Sequence, residues 1–171
     1  MSASWLKYSL SFFLLVILQI WILNKIHLFG FATPLFYVYF ILKLPSNMGR
    51  NSLIITACFL GFAIDFFSYT LGFNMLACTL MGFFRYYVLS SLAPRDMADS
   101  FIPSVKSFGL SLFMGYAMVL VAIHHIVLFV VESFTFFDII TLVLGIIGSS
   151  LLTLSLILGT EEIKLYFFKK K

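Results

Sequence analysis

Two adjacent imidazoles, His124 and His125, are the residues that first invite a chemical reading, as a metal site or a proton relay. Neighbouring positions on a helix point about 100° apart, so both rings cannot readily face one ion. No third ligand follows at a useful spacing, and the expected role of the pair is structural hydrogen bonding. Cys58 and Cys78 sit within apolar runs and lack the spacing of a metal site or a disulfide framework, so they read as small packing residues. The chain holds only seven acidic residues. They form no paired-aspartate or HExxH arrangement, and GxSxG, a Walker lysine and CxxC are also missing. No catalytic residue, metal or cofactor is expected.

Asp65 and Arg85 stand out because each lies inside an apolar run, where a charge costs about 2.5–3.5 kcal/mol on insertion scales and needs a partner, a route to water or a task. Asp65 falls near the outer end of its run, about 6 Å below the surface, with His125 at a matching depth of about 9 Å. It reads as a structural or coupling residue, bonded to the following Tyr69-Thr70-Leu71-Gly72 turn or to the fifth span. Asn in its place would keep most of that bonding. Arg85 lies about 21 Å from the same surface, too deep for a direct bridge to Asp65. It is expected to snorkel toward headgroups beside Tyr86 and Tyr87.

The elements that position these residues must be membrane spans, since 62% of the 171 residues are apolar and 11% charged. That balance cannot cover a water-facing surface. At roughly 20 residues per crossing, the apolar runs predict an all-α integral membrane protein of six helices, over 8–23, 28–44, 53–69, 71–92, 108–131 and 137–158. These form one domain over 1–171. The second helix is short or broken near Pro34, because Gly30 and Thr33-Pro34 interrupt it and regular helix is best begun at the proline. The first run lacks a small-residue cleavage site after it and reads as a retained span. The longest polar stretch is 90–107. Glu161 and Glu162, with Asp96 and Asp99, belong to loop and tail.

The net charge of +4 comes from residues spread along loops with no stripe to follow a phosphate backbone, which points away from nucleic acid and toward lipid headgroups. Counted by alternate loops, Lys7, Lys43, Arg50, Arg95, Lys106, Lys164 and Lys169 to Lys171 face only Lys25, nine against one. Basic residues near span ends are retained on the cytoplasmic side, so both termini are expected there. Small residues four apart let helices approach closely. They form three stripes: Ala57, Gly61 and Asp65; Ser107, Ser111 and Gly115; Gly145, Ser149 and Thr153. Ordinary helix packing is the first reading, and contact with another membrane protein the second. The bulky first and second spans read as a lipid-facing or partner-facing flank. No internal repeat supports a duplicated transporter.

The segments ATPLFYVYFILKLP (32–45), GFAIDFFSYTLGFN (61–74) and FFRYYVLSSLAPRD (83–96) resemble the MreD rod-shape-determining proteins, particularly their Bacteroidetes-type members. The likeness covers most of the chain in length and span order, and is most specific in the middle third. It implies a non-enzymatic inner-membrane component of the bacterial elongation machinery. Such a protein associates with MreC and acts alongside the MreB filament and peptidoglycan synthases. The family's GxxxD followed by LG maps onto Gly61, Asp65, Leu71 and Gly72, and its proline in span two onto Pro34. The family has no established catalytic residues to carry over. An alternative is the vitamin-binding S component of an energy-coupling-factor-type transporter, also a small six-span bundle. The small-residue docking face usual in its first span is absent here, where 12–22 is bulky.

Overall fold

The computed structural model describes residues 2–28, 30–93, 100–133 and 138–169, with side chains from 6 to 167 within those ranges. The protein is all-helical over these residues. Its elements are α1 (Ser2–Trp21), α2 (Val38–Leu42), α3 (Arg50–Ser68), α4 (Phe73–Leu92), α5 (Val105–Phe108), α6 (Leu110–Glu132) and α7 (Ile139–Lys169), with a 3-10 turn at Leu23–Lys25. Among the described residues, five helical stretches are long and apolar enough to cross a membrane: Leu6–Lys25, Arg50–Ser68, Phe73–Leu92, Leu110–Glu132 and Ile139–Phe167.

Each long helix buries residues at three- and four-residue spacing, which places them on one face. On α3 these are Leu53, Ala57, Leu60, Gly61, Ile64 and Asp65, and on α4 they include Asn74, Ala77, Cys78, Met81, Gly82 and Arg85. The opposite faces carry large apolar side chains outward, among them Phe13, Ile17, Phe59, Phe62, Phe66 and Ile126. Such a surface is stable against hydrocarbon and costly in water. Helices α3 and α4 pack as a hairpin, α6 lies against α4, α7 against α6, and α1 against α3.

The predicted second span departs from a regular helix. Only Val38–Leu42 is helical; the described residues before it form turns and irregular chain, with one isolated bridge between Leu28 and Ala32. Pro34 therefore lies four residues ahead of α2 instead of opening it, and it disfavours helical backbone at Thr33. Nor is this segment a flank: Leu35 through Leu42 is buried without interruption, including Phe36, Tyr37, Tyr39 and Phe40. The expected flank character holds for α1, where Leu10, Phe13, Leu14, Ile17 and Trp21 are exposed.

Two further boundaries differ from expectation. Gly109, at φ +78°, separates α5 from α6, so Ser107 does not share a helix with Ser111 and Gly115. Helix α7 runs for 31 residues, about 46 Å, instead of ending near 158. Residues 94–99 of the long polar stretch, with Arg95, Asp96 and Asp99, lie outside the described residues, as do 134–137 before α7 and Lys170 and Lys171.

Candidate functional site

At the turn between α3 and α4, Tyr69 takes a left-handed backbone at φ +56° and Gly72 one at φ +87°. This reverses the chain within four residues and brings the start of α4 beside the end of α3. Gly61 permits the contact: a Cβ there would fall 2.4 Å from the Asn74 carbonyl oxygen and 2.5 Å from the Met75 Cα. Asp65 then caps the neighbouring helix. Its Oδ1 accepts from the Thr70 hydroxyl, the Asn74 amide N–H (3.2 Å) and the Asn74 side chain (2.8 Å), and its Oδ2 from the Met75 N–H (2.7 Å). A carboxylate at a helix N-terminus satisfies unpaired N–H groups and faces the positive end of the helix dipole.

The same asparagine starts a buried polar chain. The Tyr37 hydroxyl donates to Asn74 Oδ1 at 2.7 Å and lies 3.0 Å from His124 Nε2, with Cys78 Sγ 3.7 Å from that nitrogen. His125 bonds through Nδ1 to the Val121 carbonyl and through Nε2 to the Thr153 hydroxyl. Both imidazoles are fully buried and turn to different partners, and His124 Nδ1 has no hydrogen-bond partner; among the described residues no cluster of three or more His, Cys, Asp or Glu could hold a metal. Asp65 and His125, predicted to match in depth, are not brought together. Tyr37 and Asn74, which no spacing or motif singles out, connect Asp65 to His124 instead.

The irregular segment before α2 crosses the interior with its backbone donors accepted by side chains. The N–H groups of Thr33 and Leu35 donate to Ser149 and Thr153 of α7, each at 2.9 Å. Those of Phe36 and Tyr37 donate to Gln19 Oε1 of α1, whose amide in turn donates to the Pro34 carbonyl and to Asn24. Pro34 has no N–H to satisfy. In a membrane protein, irregular backbone is tolerated where it is buried in protein or lines a water-filled cavity, and these bonds satisfy the donors of the segment from Thr33 to Tyr37. Ser149 and Thr153 belong to a buried row on α7 that continues through Ile157 to Glu161. Gly145 heads it against Phe129, and Gly148 beside it approaches Ala32.

Arg85 and Glu161 hold the far end of that crossing. Arg85 is 1% exposed, so it does not snorkel. Its Nε donates to the Tyr116 hydroxyl at 2.8 Å and a terminal nitrogen donates to the Leu44 carbonyl, while Tyr116 donates to the Leu42 carbonyl. The final carbonyls of a helix lack partners of their own, and α2 draws Arg85 inward to supply them. Glu161, expected in a solvated tail, is 3% exposed. It pairs with Lys43 at 2.9 Å and accepts from the Tyr39 hydroxyl and the Val105 N–H.

Of the three small-residue stripes, the one on α3 packs against α4, where a Cβ on Gly82 would meet Ala57 at 2.8 Å. The one on α7 holds the crossing segment. On α6, Ser111 is exposed and Gly115 has nothing within 4 Å of where a Cβ would stand.

A cleft of about 820 Å³ opens at the end of the bundle that holds the α3–α4 turn. Leu35, Ile64 and Leu128 line it with buried side chains, and Phe31, Phe67, Phe73 and Phe129 with aromatic rings. Asn24, His27, Glu132 and Asp138 supply polar groups. Asp138 caps α7, and bonds from Thr141 and the Ile140 N–H hold its carboxyl below the usual carboxylate range. No protein-family model, no curated protein and no solved structure matches this chain.

Proposed function

We propose that the protein is a non-enzymatic component of the cell-elongation machinery in a bacterial inner membrane, of the MreD kind, acting by binding an MreC-type membrane-anchored partner. MreB filaments and peptidoglycan synthases would be reached through that complex. One observation carries this reading: the segments that resemble MreD proteins supply the interior architecture. Gly61, Asp65 and Gly72 form the α3–α4 hairpin, the segment around Pro34 forms the buried crossing, and Arg85 binds its far end. Residues of this kind preserve a shape to be recognised, and none of them presents a reactive group to a substrate.

In this reading the crossing segment counts as a sixth span. It passes from Ser149 to Glu161 alongside α7, a distance of about 18 Å, and brings Lys43 beside Glu161, in the C-terminal third of α7. The nine-to-one basic asymmetry then places both termini in the cytoplasm and the α3–α4 turn outside. Partner contact uses the outward face of α6 at Ser111 and Gly115, the one stripe not consumed by internal packing. Gly115→Leu should insert and fold normally yet lose the co-purifying MreC-type partner from the same membranes. Retention of the partner by a folded Gly115→Leu protein would sink this assignment of the surface, and absence of any elongation protein from wild-type preparations would sink the function.

The 820 Å³ cleft favours a second reading, a capture subunit for a small molecule in a vitamin transporter. Co-purification of an ATPase transport module, in place of an MreC-type protein, would support it.

A further inference from the structure

The cleft beside the α3–α4 turn is walled by apolar and aromatic side chains, and nearly all of its polar groups are already engaged. Asn24 bridges Gln19 and Ser68, His27 bonds Thr33 at 2.9 Å, and Thr70 and Asn74 bond Asp65. Ser133 donates to the Phe129 carbonyl, and Asp138 holds Thr141 and the first turn of α7. Glu132 is the exception. Among the described residues nothing hydrogen-bonds to its carboxylate or pairs with it.

Its position sharpens the point. Glu132 is the last residue of α6, so its negative charge stands at the negative end of that helix dipole, the arrangement that costs free energy where the reverse would stabilise. Lys25 does not line the cleft. Four phenyl rings from Phe31, Phe67, Phe73 and Phe129 surround the same space, and aromatic faces attract cations. The volume of about 820 Å³ lies within the range of small-molecule sites.

We propose that this cleft binds an organic cation, an amine joined to an apolar or aromatic body, with Glu132 as the counter-charge and the phenylalanine walls holding the body. The amine supplies the positive charge that α6 lacks at its end, and the apolar part leaves water for the space between Leu35, Ile64 and Leu128. The inference rests on the cleft itself and stands apart from the partner reading, so the titration below and the co-purification can fail separately.

The test uses the full-length protein in phosphatidylcholine nanodiscs and three probes that share an indole body: tryptamine, tryptophol and indole-3-propionate. Calorimetric titration at neutral pH and low salt should show tryptamine binding about threefold or more tighter than tryptophol, the size of a contact to an exposed, solvent-screened carboxylate. Indole-3-propionate should bind weakest. Glu132→Gln should reduce tryptamine to the level of tryptophol without changing tryptophol itself, while Glu162→Gln, exposed at the other end of the bundle, should change neither. Equal binding of all three probes, a preference for tryptamine that survives Glu132→Gln, or no tryptamine binding would each overturn the proposal.

Discussion

Replacing Asp65 by asparagine removes one of two acceptor oxygens and sets an NH2 group against a donor, because Thr70, Asn74 and Met75 all point hydrogens at this carboxylate. Asp65→Asn should therefore cost about 1–3 kcal/mol, more than the sequence suggested, and Asp65→Leu more again because every donor then loses its acceptor. Unfolding in detergent across the two variants and wild type measures this ordering; equal stability of the three would contradict the cap. Gly61→Ala should destabilise by about 1–3 kcal/mol, since its Cβ would meet backbone that cannot yield, whereas Gly115→Ala should leave stability unchanged. At this scale Asp65 was legible because a lone acid in an apolar run must have a partner. Arg85 was legible as unusual but not in its direction, since its acceptors are the carbonyls of a helix end that only the fold reveals. Glu161 gave no signal: its neighbours Glu162 and Lys164 make it look like part of a solvated tail.

Among the elements, the crossing segment behaves least as its sequence suggests. Thr33-Pro34 and Gly30 announced a break, but the groups that make irregular backbone tolerable there lie far away, in Gln19 of α1 and in Ser149 and Thr153 of α7. Periodicity reports on faces of a local helix and carries no information about such distant acceptors. Thr153→Val should leave the buried Leu35 N–H without its acceptor and lower stability by about 1–3 kcal/mol, and Ser149→Ala should cost less because the Thr33 N–H is only part-buried. Gln19→Leu should cost more than either, because the N–H groups of Phe36 and Tyr37 and the Pro34 carbonyl lose their partner together. Thermal unfolding of the three variants in one detergent provides the comparison, and a neutral Gln19→Leu would contradict the account. The long helices, by contrast, follow directly from apolar runs with capped or glycine-marked ends.

For the whole molecule, the prediction concerns sidedness. The hairpin turn, with Leu71 88% exposed, and the turn before α5 lie at opposite ends. In a background with Cys58 and Cys78 replaced, a thiol at Leu71 should react with an impermeant maleimide added to intact cells, and one at Lys106 should react only after lysis. The opposite pattern would reverse the orientation. Composition made long apolar helices plain from the start, and five are present among the described residues; the basic asymmetry sets only an expectation of sidedness, which the labelling tests. The cleft was not legible, because its walls come from separate stretches of the chain, 20–35, 64–74, 128–133 and 138–142, and its phenylalanines are indistinguishable in sequence from those on the outer faces.

The bonds from Thr33 and Leu35 to α7 span 116 and 118 positions of the chain, which ties maturation to the order of synthesis. While the ribosome is still making α3 to α6, two amide hydrogens of the crossing segment have no acceptor, and hydrocarbon would exact several kcal/mol for each. Until α7 emerges those two amides lack their partners, so the segment before α2 reaches its final packing only when the last helix arrives. A stop codon placed before α7 should yield a chain whose early helices insert but whose residues 30–37 remain open to protease, and the cell's quality control would read that exposed stretch as unfinished.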